Sequence, residues 1–105
     1  MSYTNLTFVE YRDQYYEKAD HTLVDVRSKM EYAQGHVPHA VNIPLNELKV
    51  RVNEIDQSKP VVVVCASGNR SMSGSDALVA AGFPQVYNLQ GGTMIWMMNS
   101  LPLEA

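Results

Sequence analysis

The sequence has one cysteine, no block of lysine and arginine residues, and no apolar stretch near the roughly 18 residues that span a bilayer. One cysteine excludes an internal disulfide bond. Scattered basic residues and a formal net charge of -3 give no indication of a nucleic-acid or membrane partner. The N-terminal residues lack the basic and apolar regions of a secretion signal. We therefore expect a cytoplasmic protein whose thiol stays reduced.

The apolar residues follow alternating strand and helix patterns along the chain. The 105 residues, 46% of them hydrophobic, suffice for one core, so residues 1–105 are expected to form one domain. The β-branched run at residues 60–65 is typical of a strand buried on both faces of a parallel sheet. The alternation predicts an α/β domain with a mainly parallel central sheet flanked by helices. Strands are predicted at residues 22–26, 40–44, 60–65 and 85–89, and helices at residues 8–18, 29–34, 45–55, 71–81 and 93–98.

Asp25 and Arg27 alternate on one face at the carboxyl end of a predicted strand, where α/β proteins gather their sites. Charged groups at buried strand ends need partners. We expect both residues to have supporting roles, with Arg27 paired to Glu31 and Asp25 anchoring neighbouring backbone. Ser28 lies three residues before Glu31, which predicts a capping box at the start of the next helix.

Cys65 ends the most hydrophobic predicted strand, and a short loop leads from it into a helix beginning near Ser71. The free N–H groups and the positive dipole end of this helix point back toward the loop. Gly68 permits backbone conformations in which consecutive N–H groups surround one point. These groups and the charge of Arg70 stabilise a thiolate and lower the pKa of the Cys65 thiol from about 8.5. The predicted anion-binding loop consists of Ala66, Ser67, Gly68, Asn69, Arg70 and Ser71.

A free cysteine beside four valines can also be a small buried hydrophobe. A structural cysteine needs no anion-binding loop, so the sequence favours Cys65 as a catalytic nucleophile. Ser67 and Ser71 can donate hydrogen bonds to the sulfur or serve only as helix caps, and both interpretations remain open.

Three segments resemble motifs of the rhodanese family of sulfurtransferases, in the order that the family has them. Residues 65–71 resemble its active-site loop, cysteine-x-x-glycine-x-arginine-serine, in the letters CASGNRS. Residues 25–44 resemble the segment in which Asp-Val-Arg leads to Glu-Tyr, Gly-His and Asn-Ile-Pro. Residues 80–96 resemble the Gly-Phe, Tyr-Asn-Leu and Gly-Gly-x-x-x-Trp ending. The resemblance implies one three-layer rhodanese-like domain with about five strands.

The resemblance also implies a thiosulfate sulfurtransferase. Cys65 would take sulfane sulfur from a small anionic donor, thiosulfate or a persulfide, and would itself become a persulfide. Arg70 would orient the donor and offset the charge on the leaving sulfite. The sulfur would then pass to cyanide or to a thiol acceptor such as glutathione or a thioredoxin-like protein. No metal, nucleotide or other cofactor is expected.

Two other classes of function use a similar arrangement. Cysteine-dependent phosphatases of the same fold need five residues between cysteine and arginine, whereas four intervene here, which favours one extra sulfur atom over a phosphoryl group. Arsenate reductase chemistry would usually need a resolving cysteine, which this sequence lacks. The second alternative is a non-catalytic rhodanese-like sulfur-carrier or binding module, but such modules generally lack the cysteine.

Four further residues invite a functional interpretation. Met72 follows the loop and Trp96 follows the Gly-Gly pair, so both are candidates for the wall of a pocket. His36 and His39 have a spacing that a metal site could use, but no third ligand is evident, and we expect no metal site.

Overall fold

The computed structural model describes residues 2–105. Its five strands form one parallel sheet in the order β1-β5-β4-β2-β3, and helices cover both faces. The predicted α/β class is confirmed. The strands are β1 (Thr4–Leu6), β2 (Thr22–Asp25), β3 (Val41–Asn42), β4 (Val61–Val64) and β5 (Val86–Leu89). The helices are α1 (Phe8–Gln14), α2 (Lys29–Ala33), α3 (Leu48–Arg51, between short 3-10 turns at Leu45–Glu47 and Val52–Glu54), α4 (Arg70–Ala80) and α5 (Gly92–Met98).

The valine run of β4 holds the layers together. Successive side chains of a strand point to opposite faces, so Val61 and Val63 join the core under α3 and α4, while Val62 and Val64 join the core under α1 and α5. All four valines are fully buried. The parallel direction of the strands brings the carboxyl ends of β2, β4 and β5 to one edge of the sheet, where the candidate site lies.

The helix starts show the local chemistry that the sequence indicates. Ser28 and Glu31 form a complete capping box at α2, which confirms that prediction. Thr7 and Glu10 form a second complete box at α1. Each box fixes the point at which the chain turns from a strand into a helix.

Two elements differ from the predictions because the sequence patterns that indicate them are short or weak. The three residues of β1 at the edge of the sheet carry too little periodicity to be predicted. The predicted helix at residues 45–55 is α-helical only over α3, since Asn46, Val52 and Asn53 are weak helix formers.

The remaining differences concern the ends of elements. α1 ends at Gln14 rather than near residue 18, and Glu17 adopts a left-handed conformation (φ 56°) that a helix cannot include. β3 covers two of the five residues predicted at 40–44. Within residues 2–105, no helix combines the length and the apolar character needed to cross a membrane.

The fully buried Leu48 offers a test of the core under α3 and α4. Leu48→Ala is expected to lower the free energy of unfolding by about 2–5 kcal/mol, because burial is lost and a cavity remains. Denaturant unfolding followed by circular dichroism measures this change. Val50→Ala is the control in the same helix, because Val50 is 81% exposed and its replacement should change the free energy by less than about 0.5 kcal/mol. Equal effects of the two substitutions would contradict this core.

Candidate active site

Cys65 lies directly after β4, where the chain leaves the sheet, and only 1% of its surface is exposed. Its Sγ accepts a hydrogen bond from the backbone N–H of Gly68 at 3.0 Å, and the thiol donates to the hydroxyl oxygen of Ser71 at 3.4 Å. Gly68 has φ 101°, a conformation that glycine adopts without steric cost. Residues 66–69 therefore close around the sulfur atom.

The surroundings of Cys65 act on its pKa in opposite directions. Burial raises the pKa because it removes water from the thiolate. Hydrogen bonding lowers the pKa, first through the side chain and backbone of Ser71 and then through the backbone N–H groups of Gly68 and Ser67. The hydrogen bonds outweigh the burial, so the pKa of Cys65 lies below its ordinary value. A thiol with a lowered pKa is a stronger nucleophile near neutral pH.

The first residues of α5 hold the loop in position. Thr93 donates its backbone N–H, at 2.9 Å, and its hydroxyl, at 3.1 Å, to the carbonyl oxygen of Cys65. The backbone N–H of Met94 donates to the carbonyl oxygen of Ala66 at 2.9 Å. Gly92 permits this approach, because a Cβ at that position would collide with the carbonyl oxygen of Cys65. The loop and the start of α5 are thus joined by three hydrogen bonds.

A chain of polar side chains connects the sulfur to the edge of the sheet. The hydroxyl of Ser71 donates to Oδ1 of Asn88 on β5, and Nδ2 of Asn88 donates to Oδ1 of Asn5 on β1 at 2.9 Å. This chain fixes the Ser71 hydroxyl beside Sγ. The sequence analysis missed Asn5 and Asn88. The signal for Asn88 is an asparagine inside an otherwise apolar buried strand, because buried polar groups need partners.

Two arginines near the loop form ion pairs that differ from the expected pairing. Arg27 does not pair with Glu31. It pairs with Asp25, with a closest distance of 2.8 Å, and donates to the carbonyl oxygen of Gly35 at 2.8 Å. Asp25 is fully buried, and a buried carboxylate requires a cation more than the half-exposed Glu31 does. Glu31 instead accepts two hydrogen bonds from Arg70, at 2.7 and 2.9 Å.

Two open cavities flank the loop. The first has a volume of about 290 Å³ and is lined by the loop, by Met72 and by carboxamide side chains that include Asn5, Asn69 and Gln90. The second has a volume of about 360 Å³ and lies between Arg70 and a mainly apolar wall. Met72 is 45% exposed. The structure therefore brings Met72 to the site, beside the loop.

Trp96 lies away from both cavities, and its expected place in the pocket wall is wrong. Its ring is fully buried in the core under α1 and α5, on the face of the sheet opposite the Cys65 side chain. There it contacts Tyr11 and Tyr16, and its Nε1 donates to the carbonyl oxygen of Pro102 at 2.7 Å. α5 faces the loop with its backbone, whereas it directs the tryptophan side chain into the core.

The rings of the two histidines have different hydrogen-bond partners, although Nε2 of His36 lies 3.6 Å from Glu104 and the backbone N–H of His39 donates to the same carboxylate at 2.9 Å. Nδ1 of His36 lies 3.0 Å from the carbonyl oxygen of Tyr32, and Nε2 of His39 lies 3.3 Å from the carboxylate of Glu17. Among residues 2–105, no three side chains of histidine, cysteine, aspartate or glutamate are grouped so that they could hold a metal ion.

The fold and the loop define a class of α/β proteins in which a cysteine at the carboxyl end of the central strand lies in a ring of N–H donors. The chain belongs to the family whose model is described as the rhodanese-like domain, which matches residues 8–99.

Individual relatives agree with this assignment. A sulfurtransferase from Allochromatium vinosum is 38% identical over 86 residues, which are 82% of this chain and 80% of that protein. The thiosulfate sulfurtransferase GlpE from Pseudomonas syringae is 39% identical over 74 residues, 70% of each chain. The crystal structure of a rhodanese-related protein from Thermoplasma volcanium matches with a TM-score of 0.86 at 28% identity, over 97% of this chain and 98% of that one. The predicted family resemblance and the predicted fold class are thus confirmed.

The contribution of Ser71 to the thiolate can be measured by alkylation. When Cys65 is a thiolate, the Ser71 hydroxyl can turn its hydrogen from Asn88 toward Sγ, and Ser71→Ala removes this side-chain contribution to the lowered pKa of Cys65. The rate of iodoacetamide alkylation follows the thiolate fraction, so its midpoint on the pH scale should move upward in Ser71→Ala. Ser73→Ala is the control on the same helix, because Ser73 is exposed, and it should leave the midpoint in place. An unchanged midpoint in Ser71→Ala would show that the hydroxyl does not stabilise the thiolate.

Trp96→Phe separates a role in the core from a role in the pocket. The change removes the hydrogen bond to Pro102 and part of the packing around the ring. We expect the free energy of unfolding to fall by about 1–3 kcal/mol, with no change in the KM for a sulfur donor. Denaturant unfolding and steady-state sulfur transfer measure the two quantities. A changed KM at preserved stability would place the indole at the pocket after all.

Proposed function

We propose that the protein is a sulfurtransferase that moves sulfane sulfur from thiosulfate or a related donor to a thiol or cyanide through a persulfide on Cys65. The observation that carries the proposal is the ring of N–H donors around the buried Sγ of Cys65. Membership in the rhodanese family supports it, as does the likeness to a relative named thiosulfate sulfurtransferase.

In the first step, the Cys65 thiolate attacks the outer sulfur of thiosulfate. A bond forms between Sγ and that sulfur, the sulfur–sulfur bond of the donor breaks, and its electron pair leaves with sulfite. The N–H groups that stabilise the thiolate also suit the terminal sulfur of the persulfide, which carries the negative charge after the transfer. Arg70 lies near enough to interact with this charge, because Cys65 is among the causes that raise the pKa of Arg70, after its pairing with Glu31.

In the second step, an acceptor thiolate attacks the outer sulfur of the Cys65 persulfide. The new bond joins the acceptor to that sulfur, and the Cys65 thiolate is released for another cycle. With cyanide as the acceptor, the product is thiocyanate. We propose glutathione or a thioredoxin-like protein as the thiol acceptor, without a nucleic-acid or membrane partner, and the cytoplasm as the location. Neither step requires a metal, a nucleotide or another cofactor.

The narrowness of the site favours sulfur over phosphate. Because 1% of Cys65 is exposed, a substrate must reach Sγ with a slender end. A terminal sulfane sulfur is a single atom, whereas a phosphoryl group brings three oxygens around its phosphorus. The four residues at 66–69 enclose less space than the five of a phosphatase loop.

Intact-mass measurement after incubation with thiosulfate tests the proposal. The wild-type protein is expected to gain the mass of one sulfur atom and to convert cyanide to thiocyanate. Cys65→Ser should gain no sulfur and should lose activity by at least about a thousandfold, because the hydroxyl is a far weaker nucleophile at neutral pH. Full activity in Cys65→Ser would contradict the persulfide mechanism.

Two parallel assays distinguish the alternatives. Phosphate release from an aryl phosphate, with no persulfide formed, would assign the protein to the phosphatase class. A persulfide that forms but passes to neither cyanide nor thiols would indicate a sulfur carrier.

Ser67→Ala is the control for Cys65→Ser, because it also replaces one side chain of the loop and should still form the persulfide. Ser67 is exposed and contributes its backbone N–H rather than its side chain to the thiolate.

A further inference from the structure

Glu31 forms an ion pair with Arg70, the cation beside the loop. Its two carboxylate oxygens accept hydrogen bonds from the guanidinium of Arg70, at 2.7 and 2.9 Å. Ser28 also fixes this carboxylate. Its backbone N–H, at 3.1 Å, and its hydroxyl, at 3.0 Å, both donate hydrogen bonds to Oε1 of Glu31. A bidentate pair anchored at a helix start has a defined geometry. The charge of Arg70 is therefore largely compensated before any substrate arrives.

The other cation near the loop, Arg27, is itself paired with Asp25 at 2.8 Å and does not replace Arg70. Within the described residues 2–105, Arg70 is the only residue lining the two flanking cavities that has a charged side chain. Once the thiolate has formed, the two ion pairs Arg27–Asp25 and Arg70–Glu31 cancel, and the charge of Cys65 is left over. The local charge is then negative, and it repels a dianion more strongly than it repels a monoanion.

The cavity beside Arg70 also offers apolar contacts. Val26, Pro44 and Leu45 contribute to its wall, and its volume is about 360 Å³. A donor with a carbon substituent can bury that substituent against such a wall. Thiosulfate, whose surface consists of oxygen and sulfur, cannot use these contacts.

We infer that Glu31 is a specificity-determining residue, which makes the site favour an organic persulfide over the thiosulfate dianion as its sulfur donor. The organic group lies against Val26, Pro44 and Leu45. This inference rests on the proposed transfer of sulfur through Cys65 and assigns the donor class for that transfer.

The transfer from an organic persulfide R–S–SH balances without a further reactant. The Cys65 thiolate attacks the outer sulfur, and a bond forms between the two sulfur atoms. The bond between the two donor sulfurs breaks, and its electron pair leaves with R–S⁻, which takes up the proton of the persulfide. The products are the Cys65 persulfide anion and the thiol R–SH.

Glu31→Gln tests the inference with a change of one charge. Glutamine can maintain the capping box with Ser28, but it does not neutralise Arg70. Single-turnover formation of the Cys65 persulfide is followed by quenched flow and intact mass, with thiosulfate, benzenethiosulfonate and 2-hydroxyethyl persulfide as donors. Each rate constant is divided by that of the same donor with a free alkyl thiol in solution, which removes differences in intrinsic reactivity.

In the wild-type protein, the normalised rate constant should be about tenfold higher for 2-hydroxyethyl persulfide than for thiosulfate. Benzenethiosulfonate, a monoanion with the same sulfane sulfur as thiosulfate, should also exceed thiosulfate. Glu31→Gln should raise the thiosulfate rate constant about three- to tenfold and change the persulfide rate constant less than about twofold. Glu54→Gln is the matched control, because it removes the same charge from a surface pair with Arg51, and it should affect none of the three donors.

Salt provides a second measurement that needs no variant. Added inert salt should increase the wild-type rate constant with thiosulfate, because screening weakens the repulsion. A decrease with salt, or equal effects of Glu31→Gln on all donors, would overturn the role of Glu31 and leave the Cys65 persulfide mechanism intact. Failure to form a protein persulfide with any of the three donors would overturn the proposed function, and this inference with it.

Discussion

The hydrogen bond from the backbone N–H of Gly68 to Sγ of Cys65, 3.0 Å long, fixes the geometry on which the site depends. It forms because the chain reverses direction within the few residues after β4, with Gly68 at φ 101°. Both ends of this reversal belong to regular elements, since β4 is buried on both faces and α4 begins at Arg70. The sulfur loses water but gains several N–H donors, and this exchange explains why its pKa is lowered despite burial.

The N–H groups of the loop can serve the sulfur because the carbonyl groups of the same loop have other partners. Cys65 and Ala66 direct their carbonyl oxygens to the N–H groups of Thr93 and Met94. A carbonyl group left without a donor in the interior would cost free energy and favour another loop conformation. The contact with α5 thereby directs the carbonyl groups of the loop toward the helix and leaves its N–H groups for the sulfur. Gly92 makes the approach possible, which gives the Gly-Gly pair of the sequence a physical meaning.

Features set by neighbouring residues could be predicted from the sequence, namely the buried run of β4, the capping box at Ser28 and the loop that follows Cys65. Contacts between distant segments could not. Glu31 meets Arg70 across 39 residues, and it does so because β2 and β4 are adjacent in the sheet. The position of Trp96 could not be predicted either. Its closeness to the Gly-Gly pair in the sequence does not indicate on which face of the sheet its side chain packs.

The Arg70–Glu31 pair beside the loop keeps both of its charges over the pH range in which the thiol titrates. Hydrogen bonds from Arg70 are the main cause that lowers the pKa of Glu31 from 4.5 to about 2. The pair therefore contributes stability at pH values above 4.5, and that contribution is lost as the pH falls from there toward 2. The same contact raises the pKa of Arg70, so both partners remain charged when Cys65 gains or loses its proton. The pH dependence of reactivity then reports the Cys65 thiol, and a sulfur donor meets the same compensated cation throughout that range.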